Sequence, residues 1–376
     1  MSKINIRSPY FVQTSATNLT SAKIDLYIYT GTQTTSRGAI TYSLESTAYD
    51  YYVKFDISEL IKDYLTIEFN GMYISQTVWV DYQITTYVGS TPQTPLPMVQ
   101  KSAFYGYGYF EDGYNPRLNE AVLMSNDIVY KLDDRPLIIP IDQNNVSTVT
   151  FLKNGNTIYT ENITPTPSSY NQIRYITNGS GDIGTYKDRV LYDGGTFEGS
   201  KCLNEFMNTI TLYPVDTVLV DDKEIKIVNV EECKHKPYKL IFINKFGAFQ
   251  DLWFFKKSST SLDVVKSEYK SNIAYTGIIS YNVDEHQKKI LKKQGSERLT
   301  LNSGFVDEQY NEVFRQLMFS ESVWIEMEVD VNDWGWVTLP VNVLNSSLDF
   351  KTSVNDGLIN YTVNLEFAFD KINNVR

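Results

Sequence analysis

General acid–base chemistry near neutral pH most often runs through histidine, and this chain has two, His235 and His286. Neither belongs to a nucleophile-bearing pattern. No Gly-x-Ser-x-Gly, His-Glu-x-x-His or phosphate-loop signature occurs. The nearest approach to a metal motif is Cys233-Lys-His235; the other cysteine, Cys202, is too far away in sequence to complete a recognisable finger. The plain reading of His235 is a solvent-facing residue that follows a strand. Carboxylates number 45, so the presence of a pair suited to glycoside hydrolysis carries no information by itself. Glu326 and Glu328 fall on one strand face, as they would on any solvated strand. Glu328, Asp330 and Asp333, before Trp334-Gly-Trp336, lack the full ligand set of a calcium loop. These patterns predict a chain without a catalytic site, a metal or a cofactor.

Two clusters suit binding better than reaction. Lys288, Lys289, Lys292 and Lys293 form a basic patch, read as a solvated helix face or a surface that meets an acidic neighbour. Residues 103–113 interleave aromatics with glycine: Phe104, Tyr105, Tyr107, Tyr109 and Phe110 around Gly106 and Gly108. These five aromatics are the candidate interface residues, ordered by a neighbouring subunit. A second reading is an aromatic edge strand wedged between two domains, with the glycines allowing close backbone approach. A third is a sugar-stacking loop.

The elements that position them follow from composition and pattern. The chain has 376 residues, enough for two or three domains, and 42% apolar against 21% charged residues fits an ordered protein. Twenty-eight tyrosines lean it toward β structure and toward interfaces. A net charge of -11 argues against a nucleic-acid grip, yet suits a surface that DNA passes without sticking. Two cysteines make no disulfide framework. The first residues carry no apolar signal core and no stretch reaches membrane-spanning length, so the expectation is synthesis in a host cytoplasm and no membrane anchor. The Asn-x-Ser/Thr triplets at Asn18, Asn162 and Asn360 then read as chance.

The predicted fold class is mainly β with minor α: antiparallel β-sandwiches and a C-terminal α+β unit. Residues 1–100 alternate as short strands (Ile24, Leu26, Ile28; Tyr51, Val53, Phe55; Val78, Val80, Tyr82, Ile84), with one helical turn at Ile57, Leu60, Ile61 and Tyr64 opened by an Asp56/Glu59 capping box. The proline-rich 91–97 reads as a linker. Residues 101–262 form a middle β domain with an Asn154-Gly155 hairpin, a second hairpin around 218–227 and long polar loops over 161–210. Residues 263–376 hold an amphipathic helix over 306–319, then alternating strands at 323–329 and 337–343 and a long last strand from Ile359 to Phe369.

Several stretches together resemble a family of virion proteins from tailed phages of Bacteroidetes hosts, the crAss-like phages among them. They are Arg7-Ser-Pro-Tyr-Phe11, Gly106-Tyr-Gly-Tyr-Phe-Glu-Asp-Gly113, Phe242-Ile-Asn-Lys-Phe-Gly-Ala-Phe249, Leu339-Pro-Val-Asn-Val343, Ser346-Ser-Leu348 and Ile359-Asn-Tyr-Thr362. The resemblance implies a virion tail or neck component near the portal and brings no catalytic residues. The C-terminal strands and helix also look like the tail-tube type of subunit, which closes into rings. The function expected is therefore a non-enzymatic structural subunit of a bacteriophage tail or neck, forming a ring or hub around the DNA path. Its partners would be copies of itself and neighbouring tail or portal proteins. The alternative is a receptor- or carbohydrate-binding tail protein.

Overall fold

A computed structural model describes residues 3–164, 173–178, 214–273, 280–329, 335–351 and 357–372, apart from 32, 34, 75, 118, 119, 134 and 282. The protein is mainly β, with several sheets and few helices. In the N-terminal unit the predicted alternation holds. Ala22, Ile24, Leu26 and Ile28 of Ser21–Tyr29 all turn inward. The sheet runs in the order Lys3–Asn5, Val99–Phe104, Thr77–Val88, Ser21–Tyr29, Tyr42–Thr47. A ribbon of Phe11–Ser15 and Tyr52–Asp56, with the one-turn helix Ser58–Lys62, supplies a second layer. The Asp56 carboxylate accepts from the Ser58 amide at 3.1 Å and from its hydroxyl at 2.8 Å, in place of the predicted box with Glu59. The 91–97 stretch is no free linker. Thr91–Pro92 pairs with Thr77–Val88, and Leu96 donates its amide to Ile84. It delivers Val99–Phe104 to an interior position of the sheet, past the boundary expected at residue 100.

The middle unit is a five-stranded sheet ordered Asn156–Asn162, Thr148–Lys153, Thr217–Val220, Lys223–Val230, Ile128–Leu132. Both predicted hairpins are present. Asn154 (φ 51°) and Gly155 (φ 76°) make the left-handed pair that a type I′ turn requires. Of the loops expected over 161–210, residues 165–172 and 179–213, with Cys202, lie outside the described residues. Between them Ile173–Ile176 is a strand, paired with Ile139–Asp142, because Ile173, Tyr175 and Ile176 have apolar cores to enter.

The C-terminal sheet has seven strands, ordered Phe249–Phe254, Tyr238–Ile243, Val323–Val329, Gly335–Val343, Thr362–Phe367, Lys288–Asn302, Ser259–Lys270. Its first two strands fall in the segment 101–262 that the sequence suggests is a middle domain. Tyr238–Ile243 is buried on both faces and pairs with Val323–Val329, so it is an interior strand of this sheet, and no break between sheets falls at 262. One face is covered by the helix Tyr310–Phe319, whose Tyr310, Val313, Phe314 and Leu317 pack on Leu240, Phe242, Ile325 and Leu365. The other face meets the N-terminal and middle units through Ile241, Ile243, Phe249 and Trp324, with Phe69 only 4.8 Å from Phe249 ring to ring. The helix begins later than predicted. Val306–Asp307 is a short strand against Leu358–Ile359, and the Asp307 carboxylate accepts the Gln309 amide at the turn into the helix. The long last strand is likewise interrupted: Tyr361 exchanges backbone and side-chain hydrogen bonds with Ser303, and Thr362–Phe367 follows.

Candidate functional site: a sealed junction and a projecting arm

Glu326 and Asp251 lie close together inside the sheet, bridged by Lys239. Glu326, predicted on a solvated face, is buried and pairs with Lys239 at 2.5 Å; Lys239 also lies 3.7 Å from Asp251. The Tyr73 hydroxyl donates to Asp251 at 2.5 Å. Burial pushes the Asp251 carboxyl up, against the pull of Lys239 and Tyr73. The space beside Asp251, under Met124 and Trp253, is about 10 Å³, room for no more than one water. Lys239 thus ties Glu326 and Asp251 together inside the sheet, and Tyr73 reaches them from the unit packed over it. Glu328 is exposed, while Asp330, Asp333 and Trp334 lie outside the described residues. His235 is half-buried, its amide bonded to Glu232, and Cys233 and His286 are exposed. Among the described residues no three His, Cys, Asp or Glu side chains converge as metal ligands.

The aromatic-glycine segment is a junction inside the chain. Phe104, Tyr105 and Tyr107 are buried, Tyr109 is half-buried and Phe110 alone is 98% exposed. As a surface offered to a neighbour, the expected set therefore reduces to Phe110. The segment is held by backbone on both sides. Arg7 donates its amide to the Gly106 carbonyl, and Tyr107 donates to the Lys245 carbonyl at 2.8 Å. A side chain at Gly106 would stand 2.6 Å from Asn5 Oδ1 and 2.7 Å from the Lys245 carbonyl, which is why glycine is needed there. The Arg7 guanidinium lies 4.8 Å from the Tyr107 ring centre, donates to the Phe319 carbonyl at 2.7 Å and pairs with Glu321 at 3.2 Å. Tyr105 donates to Glu321, and Tyr109 to Glu312 at 2.6 Å. Burial, and then the carboxylate acceptor, push the Tyr105 hydroxyl up to about 12; burial does the same for Tyr107. Burial works against the Glu321 carboxylate, but Tyr105 and Arg7 outweigh it and hold that carboxyl below its usual range. Sequence reasoning missed Arg7, Lys245, Glu312 and Glu321. Nothing in their spacing marks them, because each arrives from a different part of the chain.

The opposite case is the hairpin Ser259–Lys270/Lys288–Asn302. Its strands pair from Ser259↔Thr300 to Lys270↔Lys288. Only Arg298 to Asn302 also pair with Thr362–Phe367; beyond them no further strand lies alongside among the described residues. From Val264 to Lys270 and from Lys288 to Lys293 every residue is exposed. Val265 and Leu291 are 73% and 74% exposed, and Tyr269 and Ile290 are also in solvent. Lys266 stands opposite Lys293, and Lys270 opposite Lys288. Like charges directly across a ladder destabilise it, and a two-stranded ribbon is marginal in water even without them. The basic cluster, expected on a helix face, lies instead on a strand and belongs to the outer half of an arm.

No protein-family model matches the chain, and no curated protein matches it significantly in sequence.

Proposed function

We propose that the chain is a non-enzymatic structural subunit that assembles with its own copies through the 259–302 arm, as a ring or hub component of a bacteriophage tail or neck. The observation that carries the assembly reading is the arm itself, an edge hairpin that exposes valine, leucine, isoleucine and tyrosine on a ribbon crossed by lysine pairs. Such a surface is a liability for a lone chain and an asset when a neighbour covers it. The tail or neck setting rests on the resemblance of the quoted motifs. Support of a coarser kind comes from a helix laid on long antiparallel strands, similar to tail-tube subunits, and from a net charge of -11 that suits a DNA path. The work is mechanical: bodies made rigid by the interior junction hold neighbours at a fixed angle, and neighbouring tail or portal proteins stack on the ring.

The test is the oligomeric state of the full chain. Joining Asp263 to Ser296, which face each other in the ladder, through an Asn-Gly turn removes the outer arm and keeps its root. Sedimentation and negative-stain images should show closed particles for the native chain and monomers for the shortened one. A native chain that stays monomeric, or a shortened one that assembles as well, overturns the reading.

A second reading, a receptor- or carbohydrate-binding tail protein, is favoured by one feature. Two open hollows of about 530 and 380 Å³ share Gln13 and Lys54, and Tyr49, Tyr52, Phe11 and Tyr114 line them. Exposed rings beside amide and ammonium groups suit pyranose faces. Binding on a glycan array that Tyr49→Ala and Tyr52→Ala abolish would favour it; an empty array would dismiss it.

A further inference from the structure

The seat for the arm is a separate question, and the other end of the sheet offers one. Directly after the buried part of the junction the chain turns outward in a one-turn knuckle, residues 110–114. Phe110 is 98% and Tyr114 77% exposed, and Glu111 and Asp112 between them are in solvent. The knuckle is rigid. The Tyr109 amide donates to Asp112 Oδ2 at 2.8 Å, the Asp112 amide returns to the Tyr109 carbonyl at 3.0 Å, and Gly113 closes the turn at φ 70°. Its root is tied to the helix through the Tyr109 hydroxyl and Glu312. The backbone under Phe110 is thus already ordered, so contact costs mainly the rotamer freedom of the ring, as suits a docking anchor.

Charge selects the partner. The outer ribbon, 264–270 with 288–294, carries six lysines against one glutamate, in a chain whose net charge is -11. Lys266 pairs with Glu268 at 2.6 Å, which leaves the ribbon a net excess of five lysines suited to an acidic counter-surface, and its valines and leucine suit an apolar one. The knuckle offers both within five residues. Position agrees with charge. The arm hangs from the Ser259–Lys270 edge of the seven-stranded sheet. The knuckle follows the segment that packs on residues 244–248, which join the strand at the opposite edge to its neighbour. Two different patches on one subunit can join copies head to tail, and a head-to-tail contact closes into a ring when the rotation allows, whereas a two-fold pair would make both contacts at once.

We infer that the basic arm of one copy docks on the acidic-aromatic 110–114 knuckle of the next. This rests on the assembly role proposed for the arm and names its receptor. The test uses full-length chains in two variants. Lys266→Glu with Lys293→Glu reverses the arm; Phe110→Ala with Glu111→Lys disables the knuckle and leaves Asp112, which closes the turn, in place. Both sets lie in solvent, and circular dichroism and melting verify that each folds. Each variant alone should assemble about tenfold more weakly or worse. Mixed together, they should stop at a 1:1 dimer, because one sound arm and one sound knuckle remain between them. If the knuckle variant assembles like the native chain while the arm variant does not, the seat is elsewhere and the arm's assembly role survives. If both assemble normally, the arm's role fails too. A mixture that stays monomeric, at a concentration where the native chain assembles, overturns the head-to-tail pairing.

Discussion

Two regions of this chain carry the same kinds of residue and live in opposite surroundings. Residues 103–109 hold Phe104, Tyr105 and Tyr107 against backbone from three parts of the chain, with Arg7 lying over the rings. The outer hairpin holds Val265, Tyr269, Ile290 and Leu291 against water. Aromatic density does not separate an interface from a core, because both reward large side chains. What separates them is whether the backbone on each side has a partner. Gly106 is clamped between Asn5 and Lys245, whereas among the described residues the ribbon beyond Gly295 pairs only with its own other strand.

The comparison breaks first if the junction rings can be removed without harm. Tyr105→Ser, Tyr107→Ser and Tyr109→Ser together delete three rings from between the N-terminal unit and the helix. A single large-to-small change of a buried aromatic costs about 3–5 kcal/mol. The triple variant should therefore lose most of a typical domain's stability, about 5–15 kcal/mol, and fail to give a folded monomer. Phe110→Ser, next in sequence but in solvent, should leave stability within about 0.5 kcal/mol. Urea melts of the monomer read both. A triple variant that melts like the native chain would mean the rings do not pack as described.

Gly106→Ala sharpens the same point with one methyl group. The new carbon meets Asn5 Oδ1 at 2.6 Å and the Lys245 carbonyl at 2.7 Å, and one of those contacts is rigid backbone. The expected loss is about 1–3 kcal/mol. Gly155→Ala, in the open hairpin turn at φ 76°, has nothing near its new carbon and pays only for the left-handed backbone, about 1–2 kcal/mol. A neutral Gly106→Ala would show that the segment has room to move.

Sequence periodicity was informative wherever a single face had to be buried. The inward residues of Ser21–Tyr29, the Asn154-Gly155 turn and the helix stripe Tyr310, Val313, Phe314, Leu317 all follow from it. It was uninformative where both faces are covered. Tyr238–Ile243 has no alternation, so nothing local says which sheet it joins, and its pairing with Val323–Val329 is a long-range fact. Glu326 illustrates the converse. It sits at a position that alternates outward, but outward there is another layer, and Lys239 from a different strand meets its charge there. The arm was legible in part: Lys288, Lys289, Lys292 and Lys293 read as a solvated helix face or a patch that meets an acidic neighbour, and all four are exposed, but on a strand whose pairing with Ser259–Lys270 no local pattern announces.

Alkaline pH tests the junction more gently. Burial raises the Tyr105 and Tyr107 hydroxyls to about 12, above the value near 10 expected in an unfolded chain. A raised phenol is one whose neutral form the fold prefers. Its contribution is complete below pH 10 and is lost as pH rises from there through about 12. Between these values melting temperature should fall, and ultraviolet titration should show these tyrosines ionising late, together with unfolding. Tyr105→Phe should flatten the fall in part, since burial also raises Tyr82, Tyr109, Tyr175 and Tyr310. An unchanged slope would place that hydroxyl in water.

The smallest effect is expected in the arm. Val265→Ser with Leu291→Ser removes apolar atoms that already face solvent, so monomer stability should stay within about 0.5 kcal/mol of native. Among the described residues nothing covers the ribbon's hydrogen bonds but the ribbon itself, which puts its local opening near the bottom of the stability scale. Amides of 264–270 and 288–293 should exchange fast in the monomer, while those of Tyr238–Ile243, buried on both faces, exchange only with global unfolding. In assembled particles the arm should become protected and the interior strand should not change. Slow exchange in the lone arm would mean that the ribbon is stable unaided. Its exposed leucine and valine would then no longer argue for a partner, and the contrast between the two regions would be one of position only.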